Sequence, residues 1–258
     1  MNVIQIGQFT LQGDLIVLIG TILLAGIAMV LRLMMERKST RLTIDWLMTV
    51  LVFIVLNMKF GYLWDSPSVI WEQPRALLFL SGTSVNGNIL LVIGLLAWSV
   101  TYIRKHKLSV SEFIDTLTHG MLMAVASYGI LYAYMGHEAP GLTMLKLPET
   151  MTDSVLAAGL VAAIPAVESI IALFFLILLW TRKKPLGSYA DTILAAPLFG
   201  TAGMIISYFR IQDSLWLGLS FVQWFYVLIL IAAYMVLRFK ERSAIESPSV
   251  DSAVENMD

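Results

Sequence analysis

Glu168 stands in Ile164-Pro165-Ala166-Val167-Glu168-Ser169, inside a long apolar run. A carboxyl group at mid-depth in hydrocarbon must be protonated, paired or hydrated, so it can hold a proton or meet a polar ligand. Lys59 lies in Asn57-Met58-Lys59-Phe60-Gly61-Tyr62, toward the end of another apolar run. A lysine there can serve as a point charge for a phosphate. Tyr62, three residues on, shares a nearby helix face and offers a hydroxyl donor. Asn86 adds an uncharged donor, and Arg210 closes a further run in Ser207-Tyr208-Phe209-Arg210. Asp115 and His119 are one helical turn apart. Even permissive scales charge ~2.5–3.5 kcal/mol for Lys or Asp at the centre of a membrane helix.

Each residue also has a plainer reading. Lys59 and Arg210 can snorkel to the interface. Asp115 can cap or solvate a helix end, His119 can be a satisfied bundle residue, and Glu168 can be a protonated packing residue. At ~1.5 Å per residue, Lys59 sits roughly 8–9 Å from its helix midpoint. Lys59 and Glu168 can therefore meet directly, through water or through a lipid phosphate. The expectation is a shared internal cavity that opens toward the outer leaflet and accepts a lipid headgroup.

The elements that position these residues are membrane spans. The chain has 258 residues, 58% hydrophobic and 14% charged. Its mean hydropathy is +0.80. Soluble domains are about 45–50% apolar and about 25% charged. Runs of about 20 apolar residues suffice to cross a bilayer. They predict spans at 15–34, 44–63, 86–103, 112–135, 155–180, 190–209 and 214–237. Of the 17 Lys and Arg, thirteen fall in alternate loops and the C-terminal tail. These are Arg32, Arg37, Lys38 and Arg41; Arg104, Lys105 and Lys107; Arg182, Lys183 and Lys184; and Arg238, Lys240 and Arg242. Positive loops stay cytoplasmic, which places the N-terminus outside and the C-terminus inside.

The reading is one all-α, polytopic, seven-span domain over 1–242, with a disordered acidic cytoplasmic tail over 243–258. Partial alternation over residues 3–11 predicts a short strand or hairpin arm before the first span. Trp64, Pro67, Trp71, Pro74 and Phe79 mark the 64–85 loop as interfacial or re-entrant. The 136–154 loop is expected outside. No basic segment precedes the first apolar run, so no cleavable signal peptide is expected. With no cysteine, disulfides, thiolate metal sites and a cysteine nucleophile are excluded. His106, His119 and His137 lack metal-ligand spacing, so neither a metal nor another cofactor is expected. The basic clusters lack interleaved aromatics, which speaks against nucleic acid.

Several strings resemble the prolipoprotein diacylglyceryl transferase family over most of residues 3–242. The Ile4-Gln5-Ile6-Gly7 arm resembles its opening. Lys59-Phe60-Gly61-Tyr62 resembles its Arg-x-Gly-Tyr, and Ser84-Val85-Asn86-Gly87-Asn88 its Ser-Phe-His-Gly-Gly. Ser111-Glu112-Phe113-Ile114 resembles the start of its fourth span. Ile164-Pro165 with Glu168-Ser169 resembles its His-Pro and Tyr-Glu-Ser. Arg182-Lys183-Lys184-Pro185-Leu186-Gly187 resembles the loop before its sixth span. The resemblance implies a bacterial plasma-membrane protein of lipoprotein biosynthesis. Its partners would be phosphatidylglycerol and secreted lipoprotein precursors, and its reaction diacylglyceryl transfer to a lipobox cysteine.

The departures fall on the chemistry. Asn86 replaces the family's motif histidine and cannot act as a base. Ser127 to Tyr134 replace its arginine signature, Arg-x-Gly-Asn-Phe-x-Asn-Gly-Glu. The arginine expected in the sixth span falls at Gly203, and the neighbouring glutamate at Ser207. No catalytic residue is assigned. Lys59, Tyr62, Asn86, Glu168 and Arg210 are candidates for a lipid headgroup. The expected function is a divergent or catalytically degraded transferase; the alternatives are a non-catalytic lipid- or partner-binding protein and a small transporter.

Overall fold

A computed structural model describes residues 3–6, 9–72, 74–75, 82, 84–134, 155–208, 215–216 and 218–246. The protein is mostly helical. Strands β1 (Val3–Ile6) and β2 (Phe9–Gln12) pair antiparallel with Ile6 opposite Phe9, forming the expected hairpin arm. Among the described residues seven long helices follow: α1 (Gly13–Met35), α2 (Arg41–Phe60), α3 (Val85–Lys105), α4 (Val110–Tyr134), α5 (Val155–Arg182), α6 (Ala190–Ser207) and α7 (Phe221–Glu246). Short helical turns at Gly61–Trp64 and Val69–Glu72 occupy the loop expected at the interface, where Trp71 is 73% exposed. A second small hairpin, β3 (Leu215–Trp216) with β4 (Leu219–Ser220), precedes α7 and moves its start from 214 to 221. Helix α7 runs to Glu246, four residues into the segment expected to be a disordered tail. The 136–154 loop, Arg210 and residues 247–258 lie outside the described residues.

Among the described residues, six helices are long and apolar enough to cross a membrane. Helix α4 is not among them, although it has 25 residues. Asp115, Thr116, Thr118, His119 and Ser127 lower its hydropathy. These side chains are tolerable because α4 packs extensively on α1 and α5 and also touches α6. Small residues allow the close approach. A Cβ on Gly120 would lie 2.7 Å from the Met29 sulfur of α1, and one on Gly129 would lie 2.7 Å from the Pro165 carbonyl oxygen of α5. Helix faces turned away from the bundle are apolar, with Leu96 of α3 and Ile170 and Phe174 of α5 all more than half exposed. Such faces suit lipid rather than water. The apolar core joins α4, α5, α6 and α7 around Leu122, Leu176, Leu179, Phe199 and Tyr226.

Candidate functional site

The sequence-predicted residues separate into three places. The first is the junction between the end of α2 and the start of α3. Ser84 precedes α3 in extended conformation, and its hydroxyl accepts from Gly87 N at 2.9 Å, a standard N-cap bond. The same hydroxyl donates to the Gly61 carbonyl at 2.8 Å. Only glycine fits at 87, because a Cβ there would lie 2.8 Å from that carbonyl oxygen. The Lys59–Tyr62 and Ser84–Asn88 strings are thus clamped together. Around the clamp, Asn86 Nδ2 donates to Asp65 Oδ1 at 2.8 Å, and Asn57 Nδ2 donates to Asn88 Oδ1 at 2.8 Å. Lys59 is half-buried beside them. The Tyr62 hydroxyl is buried with no hydrogen-bond partner among the described residues. An unmatched buried hydroxyl costs roughly 1–3 kcal/mol. The junction therefore brings Lys59, Asn86 and the buried Tyr62 hydroxyl to the same end of α2 and α3.

Glu168 occupies the second place, inside the bundle. It is 8% exposed, and Tyr226 Oη donates to its Oε1 at 3.1 Å. The Tyr226 ring lies on Gly203 so closely that any Cβ at 203 would overlap it. Ser127 is buried and donates back to the Met123 carbonyl of its own helix at 2.7 Å. Ser169 Oγ likewise donates to the Pro165 carbonyl at 2.8 Å. Ser127, Ser169 and Gly203 are thus small residues beside the Tyr226 ring, next to the large apolar side chains of the α4–α7 core. The helix that carries Lys59, α2, packs mainly on α1 and α3, whereas α5, which carries Glu168, packs mainly on α4 and α6. An apolar cavity of about 290 Å³ between α1 and α2, around Gly26, Leu47 and Met48, touches neither residue.

The third place was not anticipated as a cluster. At the end of the bundle that carries the basic loops, Asp115 is 0% exposed. Its Oδ2 accepts from Gly187 N and Tyr189 N, each at 3.0 Å. Its Oδ1 accepts from Thr192 N at 3.3 Å and Thr192 Oγ1 at 2.8 Å. Helix α6 has no side-chain cap of its own: Tyr189 stands at its N-cap with φ 56°. Asp115 therefore caps α6 from α4, satisfying donors that a helix start leaves open and placing an anion at its positive end. The reading of Asp115 as a cap holds, but it is buried rather than solvated.

Beside it, Arg32 Nη1 pairs with Glu36 Oε1 at 3.0 Å, and Nη2 with Asp191 Oδ2 at 3.3 Å and with the Lys184 carbonyl. Glu36 Oε1 also accepts from Leu186 N at 2.8 Å. His119 Nδ1 faces the Asp115 carbonyl oxygen at 2.9 Å, and Nε2 lies 3.6 Å from Asp191 Oδ2. Outside the spans, Lys38 bridges Glu112 at 2.7 Å and Glu36 at 3.5 Å. Burial works against the Lys38 charge, but the two glutamates outweigh it and raise its pKa above the usual 10.5. The sequence signals for this cluster were Arg32, which falls inside the first span, and Asp191, which falls inside the sixth. Among the described residues no set of three His, Asp or Glu is arranged to hold a metal ion.

Comparison with protein-family models, with curated proteins and with solved structures returns no match.

Proposed function

We propose that this chain is a seven-span protein of the bacterial plasma membrane, built like a prolipoprotein diacylglyceryl transferase, that holds a phospholipid headgroup without transferring its diacylglyceryl group. Helix α4 is the seventh span, shielded by α1, α5 and α6. The basic loops face the cytoplasm, so the N-terminus and the α2–α3 junction face outward. Phosphatidylglycerol is the expected lipid. Lys59 meets its phosphate, and Tyr62 and Asn86 donate hydrogen bonds to it.

The observation that carries the non-catalytic part is the Tyr226 ring seated on Gly203. By resemblance this position calls for arginine, and Ser127 stands where the family's other arginine would be. Transfer of a diacylglyceryl group leaves glycerol phosphate, whose charge must be met by cations and donors. The Tyr226 ring against Gly203 and its hydrogen bond to Glu168 support a reading in which no arginine serves that role. The test is incubation of purified protein with phosphatidylglycerol and a lipobox peptide. An unchanged peptide mass is expected, together with retention of the lipid by the protein and weaker retention in Lys59→Ala. A lipid-dependent gain of a diacylglyceryl group on the cysteine overturns the reading.

A further inference from the structure

Both ring nitrogens of His119 face acceptors. Nδ1 is 2.9 Å from the Asp115 carbonyl oxygen, and Nε2 is 3.6 Å from Asp191 Oδ2. A neutral imidazole has one donor and one acceptor. With Nδ1 donating to the carbonyl, a bare Nε2 would set a lone pair against a carboxylate oxygen. His119 Nε2 and Asp191 Oδ1 are both buried with no hydrogen-bond partner among the described residues. An ordinary surface pair would leave such atoms to water. Here His119 is 0% exposed and Asp191 1%.

Charge counting leads to the same place. The buried quartet is Arg32, Asp115, His119 and Asp191. Arg32 supplies one positive charge and the two aspartates supply two negative ones. The quartet is neutral only when it holds one further proton. An uncompensated charge at this depth is expensive. The partial positive charge of the α6 N-terminus meets Asp115, and the surrounding side chains do not supply a compensating charge for Asp191 beyond Arg32. Glu36 on α1 adds a negative charge to Arg32, and Lys38 is spent between Glu36 and Glu112. Lys184 contributes its carbonyl, another acceptor. Helix α5 buries apolar Leu176 and Leu179 against α4 and α6, and Arg238 near the end of α7 is exposed and paired with Glu241.

We propose that His119 and Asp191 form a proton-binding site that holds one proton between Nε2 and Oδ2. The proton is taken from water and returned to it; no other bond is made or broken. Holding it turns an acceptor–acceptor contact into a hydrogen bond joining α4 to α6. Losing it sets the two helices against each other at the end where Asp115 caps α6. The site is independent of lipid binding and of transfer.

The experiment uses the full chain in lipid nanodiscs with ¹⁵N-labelled histidine. The His119 signal is identified by its loss in His119→Gln. Nitrogen spectra report whether Nε2 carries a proton, and infrared difference spectra against Asp191→Asn report whether Asp191 does. The expected result near neutral pH is one proton on the pair: a protonated Nε2, a protonated Asp191 carboxyl, or exchange between them. Release at higher pH should occur in one step, with faster amide exchange at Thr192. A bare Nε2 beside an ionised Asp191 at pH 6–7 overturns the proposal. If His119→Gln does not fold, His106→Gln and His137→Gln assign the other two histidine signals and leave that of His119 by elimination, so the wild-type nitrogen signal still decides.

Discussion

Replacing Asp115 by alanine should be among the most damaging single changes in the protein. The carboxylate holds four donors: the backbone N–H groups of Gly187, Tyr189 and Thr192, and the Thr192 hydroxyl. Thr192 is buried, so its orphaned N–H costs about 1–2 kcal/mol, whereas its hydroxyl keeps Thr118 Oγ1 as a partner at 2.9 Å. The two loop N–H groups are partly buried and add about 1 kcal/mol each. Loss of the anion at the α6 N-terminus adds roughly 0.5–1 kcal/mol. The sum is about 4 kcal/mol, well above the ~1 kcal/mol of an ordinary N-cap. At about 2–4 °C per kcal/mol for a chain of this size, melting should fall by roughly 8–16 °C. Asp115→Asn keeps one acceptor oxygen and should lose about half as much. Tryptophan-fluorescence melting in detergent measures both, and hydrogen exchange over residues 187–192 localises the damage. If Asp115→Ala melts within ~3 °C of the wild type, the cross-helix cap does not hold α6 and the reasoning fails.

Gly203→Ala should cost about 1–3 kcal/mol, because its methyl group overlaps the Tyr226 ring. Paired with Tyr226→Ala it should cost less than the sum of the two, which a double-mutant melting series reads directly. Tyr62→Phe removes a buried hydroxyl without a partner among the described residues, so melting should hold or rise, while phosphatidylglycerol retention should weaken several-fold in native mass spectrometry; equal retention removes Tyr62 from the headgroup site. The raised pKa of Lys38 means that the folded state binds its proton more tightly than the unfolded chain does. Its contribution is therefore fully present below about pH 10.5 and fades as pH rises through the higher folded-state value. The melting difference between wild type and Lys38→Met should hold steady from pH 7 to 10 and shrink above that; a loss near neutral pH contradicts the pairing with Glu112 and Glu36.

Much of the architecture was readable because hydrophobic length is a local property. Each of the seven apolar runs became a helix, and the alternation at residues 3–11 became a hairpin. The last helix starts later than its apolar run because Leu215 to Ser220 pair as a small hairpin. Asp115 and His119 were visible as neighbours one turn apart, since that spacing is fixed by the helix. Their partners were not. Arg32 and Asp191 meet across 159 positions of sequence. Arg32 read as one more topogenic charge, although it is buried near the end of its span. Glu168 was legible as an anomaly, but its partner Tyr226 was not, because nothing local marks one tyrosine among nine as facing a carboxyl group. The cap on α6 was hidden for a similar reason: Tyr189 is no capping residue, and the substitute comes from another helix.

The most direct measurement is the mass spectrum of the purified protein after incubation with phosphatidylglycerol and a lipobox peptide. The account predicts protein carrying intact lipid and a peptide of unchanged mass. A peptide that gains a diacylglyceryl group, with glycerol phosphate released, would contradict it.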